Sequence, residues 1–141
     1  MLCQADALLQ AAENGKYALG QFNLNGFAWI KAALMAAEES KSPLILGVTE
    51  SAAKELCGYE TVAEMVRCSD KAMGIQVPVL LHADHASLDA ALCALKAGFS
   101  SVMYDGSTES METNLTNTRL LVKAARVYGA AVEAEAGSIA G

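Results

Sequence analysis

The sequence predicts an α/β fold whose parallel strands are covered by helices. Three observations carry this expectation. Apolar, β-prone runs alternate with helical stretches along the whole chain, the pattern of successive βα units. The runs are mostly unbroken rather than alternating with polar residues, as in strands buried on both faces. A polar residue stands at the C-terminal end of each run.

Taken in order, Gln4 to Asn14 reads as a helix closed by Gly15. Tyr17 to Phe22 is a short strand. Phe27, Ile30, Leu34 and Ala37 follow at helical spacing. Pro43 to Val48 is the second strand, with proline at its first position. A helical region in two pieces comes next. Thr61 and Glu64 have the spacing of a capping box for the second piece, with Val62, Met65 and Val66 facing inward. Pro78 to His82 is the third strand. Ser87 is placed to cap the following helix, Asp89 suits its positive end, Leu88, Leu92 and Leu95 form its apolar face, and Gly98 ends it. Ser100 to Tyr104 is the fourth strand. Glu109 and Glu112 open a helix in which Met111, Leu115, Val122 and Ala125 share a face and Gly129 is the stop. Ala130 to Glu135 is the fifth strand.

A helix, four βα units and a fifth strand fit either an open doubly wound sheet or a closed barrel. No G-x-G-x-x-G follows a strand, which weakens the dinucleotide-binding version of the open sheet. A complete (β/α)8 barrel needs about 250 residues. The 141 residues here hold about four and a half units, so the barrel reading makes residues 1–141 the N-terminal part of a single barrel domain.

Composition sets outer bounds. The chain is 53% hydrophobic and 18% charged, which is ordinary for a soluble globular protein. A net charge of −6 argues against a nucleic-acid or anionic-membrane partner. No apolar run reaches the length of a membrane span. Met1 to Leu9 carries Asp6 and no basic residue, unlike a secretory leader. Cys3, Cys57, Cys68 and Cys93 form no C-x-x-C pair and read as reduced thiols in a cytoplasmic protein.

The polar strand ends are Asn23 and Asn25, Thr49 and Glu50, Asp84 and His85, Asp105 to Ser107, and Glu133 and Glu135. In a parallel fold these ends share one rim, where ligands bind. Glu133 and Glu135 are two apart on a strand and face one side, inward in a barrel. Two ionised carboxylates there need a cation, a basic partner or a raised pKa. An edge strand with both glutamates in water is the structural alternative. His82 and His85 would point to opposite faces of an ideal strand, so both binding one metal is not expected. His85, at the turn, can reach the rim as a neutral imidazole ligand. Asp84 beside it suits general acid/base work. A D-H dipeptide alone carries little weight.

The stretch from Leu81 to Gly141, LHADHASLDAALCALKAGFSSVMYDGSTESMETNLTNTRLLVKAARVYGAAVEAEAGSIAG, closely resembles the class II, metal-dependent fructose-bisphosphate and tagatose-bisphosphate aldolases. The earlier YALGQFNLN and LGVTESA are similar to segments of the same family, in the same order. The resemblance implies a (β/α)8 TIM barrel, a homo-oligomer, and cleavage of a ketose 1,6-bisphosphate to dihydroxyacetone phosphate and glyceraldehyde 3-phosphate. Matched by motif, Asp84 is the proton donor and acceptor and His85 a ligand of the catalytic Zn2+. Asp105 and Glu135 match a second metal position, for a divalent or monovalent cation. Asn23 and Thr49 match substrate-contacting positions, Thr49 replacing the usual serine. Glu133 is a weaker ligand candidate.

The departures have their own implications. The family's catalytic zinc takes three histidines, and this sequence contains two in all. Thr108 replaces the family's histidine in D-G-S-H, and Ala136, Ser138, Ile139 and Ala140 depart from E-L-G-R-L-G-G. The isolated chain is therefore expected to lack turnover. An inactive half-barrel serving assembly or binding is the alternative function.

Overall fold

In a computed structural model that describes residues 2–137, the chain forms six helices and five strands among those residues. The departures at Ser138, Ile139 and Ala140 lie outside the described residues. The elements are α1 (Ala5–Gly15), β1 (Gly20–Asn23), α2 (Phe27–Ser40), β2 (Leu44–Thr49), α3 (Glu50–Glu55), α4 (Tyr59–Met73), β3 (Val79–Ala86), α5 (Leu88–Ala97), β4 (Ser101–Tyr104), α6 (Met111–Tyr128) and β5 (Ala131–Ala134).

All four strand pairings are parallel, and the sheet order is β1-β2-β3-β4-β5. This order decides between the two architectures. A doubly wound sheet reverses direction at a switch point, putting helices on both faces. Here every right-handed crossover advances the same way, so the crossover helices share one face. The architecture is that of the first part of a (β/α)8 barrel.

Alternate strand residues divide between two cores. Leu44, Leu46, Val48, Val79, Leu81, Ala83, Val102 and Tyr104 pack with Ile30, Leu34, Val62, Val66, Leu95 and Leu121 of the helices. The other face carries Ile45, Leu80 and Ala131, which meet Ala5 and Leu8 of α1. The N-terminal segment is anchored under the sheet, where the Cys3 amide donates to the Val79 carbonyl and the Ser100 hydroxyl to the Cys3 carbonyl. Thus α1 covers the end of the inner face opposite the rim.

Several local expectations need correction. β1 begins at Gly20, so Tyr17 to Leu19 lie outside it. α1 extends through Gly15, and Lys16 takes the left-handed conformation that ends it. Phe27 is 56% exposed, while Ile30, Leu34 and Ala37 are buried as expected. Thr61 does not cap α4. That helix starts at Tyr59 after Gly58, the Thr61 hydroxyl donates to the Cys57 carbonyl, and Glu64 pairs with Arg67. Met111 and Leu115 point outward on α6, where Asn114, Leu121 and Ala125 are buried. The cause is a polar side chain taking an inward position, which an apolar-periodicity argument misses. The Ser87 cap and the Gly98 and Gly129 stops stand as read.

Leu34 is fully buried between α2 and the sheet. Leu34→Ala should lower the unfolding free energy by about 2–5 kcal/mol, measurable by urea denaturation. Glu38, near the end of α2, accepts from Lys41 and from the Gln76 and Val77 amides, which hold its carboxyl down at about 2. A carboxyl depressed on folding contributes stability above its unfolded value of about 4.5 that is lost as pH falls toward 2. The urea midpoint should therefore drop between pH 7 and pH 3, and drop less in Glu38→Gln.

Candidate metal and active site

The inner positions of the sheet run in rows, set by register. Asn23 lies beside Gly47, Gly47 beside His82, and His82 beside Ser101. One step toward the rim, Thr49 lies beside Asp84, and Met103 beside Glu133. Gly47 is small for a reason: a Cβ there would lie 2.7 Å from Asn23 Oδ1 and 3.2 Å from Gln21 Nε2. The β1 polar side chains lean across this space.

β3 runs further than the sequence suggests, to Ala86, so Asp84 and His85 belong to the strand rather than to the loop after it. Its pairing with β4 slips there. Ala83 pairs with Val102 and Ala86 with Tyr104, leaving Asp84 and His85 opposite Met103 alone. This is a β-bulge, and His85 sits in it at φ +45°. The bulge cancels the opposite-face expectation for the two histidines. His82 Nε2 lies 3.7 Å from a Glu133 oxygen, and His85 Nδ1 lies 3.9 Å from a Glu135 oxygen.

His85 Nδ1 is 2.9 Å from Asp105 Oδ2, a hydrogen bond that raises the histidine pKa above its usual 6.5. Asp105 is held at about 2 by the Ser107 hydroxyl first, then by His85 and the Ser107 amide. Ligand atoms of His85, Asp105 and Glu135 all lie within 4.8 Å of one another. Donors on a tetrahedral ion at about 2.1 Å stand roughly 3.4 Å apart, so a small inward movement of the side chains suffices. One imidazole and two carboxylates suit a borderline divalent ion such as Zn2+. The residues fit a metal.

Asp84 is 8% exposed, on the inner face below this cluster. His82, 2% exposed, lies with Nε2 3.7 Å from Asp84 Oδ1, while its Nδ1 hydrogen-bonds Ser101 Oγ at 2.8 Å. Burial lowers the His82 pKa, outweighing the opposite pull of Glu133 and Asp84. The ring is therefore neutral near pH 7. Glu133 and Glu135 divide between the two expected environments, with side chains 61% and 12% exposed.

Asn23 is exposed on the edge strand β1. The Thr49 hydroxyl caps α3, accepting from the Ala52 amide at 3.2 Å. Two supports were not evident from the sequence. Asn114 Nδ2 donates to the Gly106 carbonyl at 3.1 Å and the Glu135 carbonyl at 2.8 Å, tying the β4 loop to the end of β5. Glu50 links the start of α3 to Ser87. A groove of about 1190 Å³ along the flank of β1 and α2 includes Asn23 but none of His85, Asp105 or Glu135.

The family model described as "Fructose-bisphosphate aldolase class-II" matches residues 3–141. The chain belongs to this family. The fructose-bisphosphate aldolase of Mycoplasma genitalium is 43% identical over 141 residues, all of this chain and 49% of the relative. That of Geobacillus stearothermophilus is 47% identical over 135 residues, 95% of this chain and 47% of the relative. A Bacillus licheniformis relative named 6-phospho-5-dehydro-2-deoxy-D-gluconate aldolase is 45% identical over 135 residues, covering 95% and 46%. Among solved structures, the YdjI aldolase of Escherichia coli K12 matches with a TM-score of 0.85 at 29% identity, covering 99% of this chain and 54% of that one. A putative fructose-1,6-bisphosphate aldolase from Coccidioides immitis matches with a TM-score of 0.87 at 30% identity, covering 98% and 48%. The chain spans about half the length of the curated relatives it matches. The resemblance read from the motifs is thus confirmed at the level of class II aldolase family and barrel fold.

Asn114→Leu should leave two carbonyls without their donor and cost about 1–3 kcal/mol of stability. Urea denaturation measures the loss, and amide exchange should quicken around Gly106 and Glu135.

Proposed function

We propose that this chain carries part of the active site of a class II aldolase that cleaves a ketose 1,6-bisphosphate, fructose or tagatose, to two triose phosphates. The observation that supports this most is the His85, Asp105 and Glu135 cluster on the rim directly above Asp84. Relatives named for two different aldolase substrates share similar identity with the chain, so aldol chemistry is the common element. Homo-oligomerisation and a cytoplasmic location belong to the same reading. No helix among the described residues is long and apolar enough to cross a membrane.

In this reading His85, Asp105 and Glu135 would together hold a divalent ion on the rim of this chain, His85 being the residue the family motif matches to the catalytic Zn2+ and the two carboxylates those it matches to a second cation position. A bound divalent ion supplies Lewis-acid stabilisation of the negative charge that develops as the carbon–carbon bond breaks. The chain's own residues do the rest. Asp84 takes the proton from the C4 hydroxyl while the C3–C4 electron pair stays with the C3 fragment, and returns the proton in the reverse direction. Burial keeps water from competing at its carboxyl. Neutral His82 adds no positive charge beside Asp84. Thr49 accepts from the Ala52 amide and lies 3.1 Å from Ser51 Oγ; with Ser51 donating in that pair the Thr49 proton is directed to a substrate oxygen, and Asn23 supplies an amide from the neighbouring strand.

A second reading, an inactive half-barrel that serves assembly or binding, is favoured by exposed Phe22, Trp29 and Val127 on the flanks of β1, α2 and α6. Light scattering tests it: the purified chain should self-associate, and a stable monodisperse monomer counts against this reading.

Zn2+ titration of the 141-residue chain should show binding that weakens at least tenfold in His85→Ala or Asp105→Ala. Protons compete at His85, whose pKa is raised by its hydrogen bond to Asp105, so affinity should fall as pH drops and, where His85 is protonated, Zn2+ binding should release about one proton. The isolated chain should show negligible turnover, and chelator-sensitive cleavage at enzyme-like rates would overturn this expectation. Fused to the remaining half of the Geobacillus stearothermophilus relative, residues 1–141 should support cleavage that falls about 10²–10⁴-fold in Asp84→Asn. A folded, metal-loaded fusion indifferent to that substitution sinks the assignment of Asp84.

A further inference from the structure

Glu50 opens α3, next to Thr49, and its carboxylate reaches across to the turn after β3. Its Oε2 accepts both the Ser87 amide at 3.2 Å and the Ser87 hydroxyl at 2.9 Å. Its Oε1 is 2.8 Å from Lys54 Nζ. Ser87 also caps α5 and stands two residues beyond His85. One carboxylate oxygen therefore fixes the backbone and the side chain of the residue where the bulged strand becomes a helix.

His85 needs such fixing. It is a non-glycine residue at φ +45°, a conformation that persists where surrounding contacts over-determine it. On the β4 side the Asp105 amide donates to the Ala86 carbonyl, and Asp105 Oδ2 meets the His85 ring. On the β2 side, among the described residues, Glu50 makes the side-chain hydrogen bonds to this turn. Removing them leaves the bulge held from one side.

We propose that Glu50 is a positioning residue for the rim, holding His85 in its left-handed bulge by accepting two hydrogen bonds from Ser87. This rests on the proposed reading of His85 as a metal ligand. The inference concerns hydrogen-bond reach rather than charge, and substitutions separate the two. Glu50→Asp keeps the charge but is one methylene too short to span the gap. Glu50→Gln loses the charge but keeps an acceptor oxygen at the right distance for Ser87.

The experiment measures Zn2+ affinity of the full 141-residue chain by competition with a chromophoric chelator, with urea midpoints taken in parallel. Glu50→Asp should weaken Zn2+ binding at least fivefold, Glu50→Gln should stay within twofold of the parent, and both should keep near-parental urea midpoints. A Glu50→Asp affinity within twofold of the parent overturns the proposal. So does a Glu50→Gln loss as large as that of Glu50→Asp, which would make charge the cause.

Amide exchange supplies a readout that needs no metal. In the parent chain the Ser87 amide should be protected well beyond an exposed turn, and rapid exchange there overturns the proposal. Should the parent bind no Zn2+, the metal reading fails. The tie is then decided by whether Glu50→Asp speeds exchange at Ala86 and Ser87 but not in β2 or β4. Selective acceleration supports it and unchanged exchange overturns it.

Discussion

β3 carries one more residue than β4 can pair with, and the layout of the rim depends on that mismatch. Without it, strict alternation would put His85 on the helix face with Ala83, away from Asp84. With it, two consecutive residues serve the same end of the fold. Asp84 stays buried on the inner face, while the His85 ring meets Asp105 and approaches Glu135. The cost is a left-handed backbone at a residue that is not glycine. It is tolerated because β4 and the start of α3 fasten the turn on either side.

The rest of the molecule makes this local arrangement possible by dividing labour between the two faces of the sheet. The helix face is an apolar layer in which α2, α4, α5 and α6 bury large side chains. The inner face changes character along its length, from apolar contacts with α1 at one end to histidine and carboxylates at the other. Charged groups are concentrated where strands open into loops, so their desolvation cost falls on few residues. Asn114 is an exception to the apolar layer, and its two hydrogen bonds join the β4 loop to the end of β5 near the acidic residues.

Much of the fold was legible because it follows from periodicity and punctuation. All five strands, the Ser87 cap and the glycine stops are written in short-range patterns. What failed did so for identifiable reasons. Thr61 and Glu64 have capping spacing, but Gly58 started the helix earlier and each found another partner. Met111 and Leu115 fit an apolar stripe, but Asn114 took the inward position because two carbonyls awaited a donor. The candidate site was legible as a set of residue types at strand ends, and the structure brings His85, Asp105 and Glu135 together. Its geometry was not, since a bulge is a mismatch between two strands and neither strand's sequence announces it. The part played by Glu50 was hidden likewise, because its partner lies 37 residues away in the chain.

Gly47 has a consequence for how a sequence of this kind can drift. The space that a methyl group would need there is already used by Asn23 and Gln21 from the adjacent strand. An alanine at position 47 is admissible only if those side chains withdraw, and a withdrawn Asn23 no longer presents its amide in the same place. A change at position 47 therefore acts on the proposed substrate-side geometry through position 23. The constraint runs one way: a smaller residue at position 23 leaves Gly47 undisturbed, whereas a side chain at position 47 meets Asn23 and Gln21 at once.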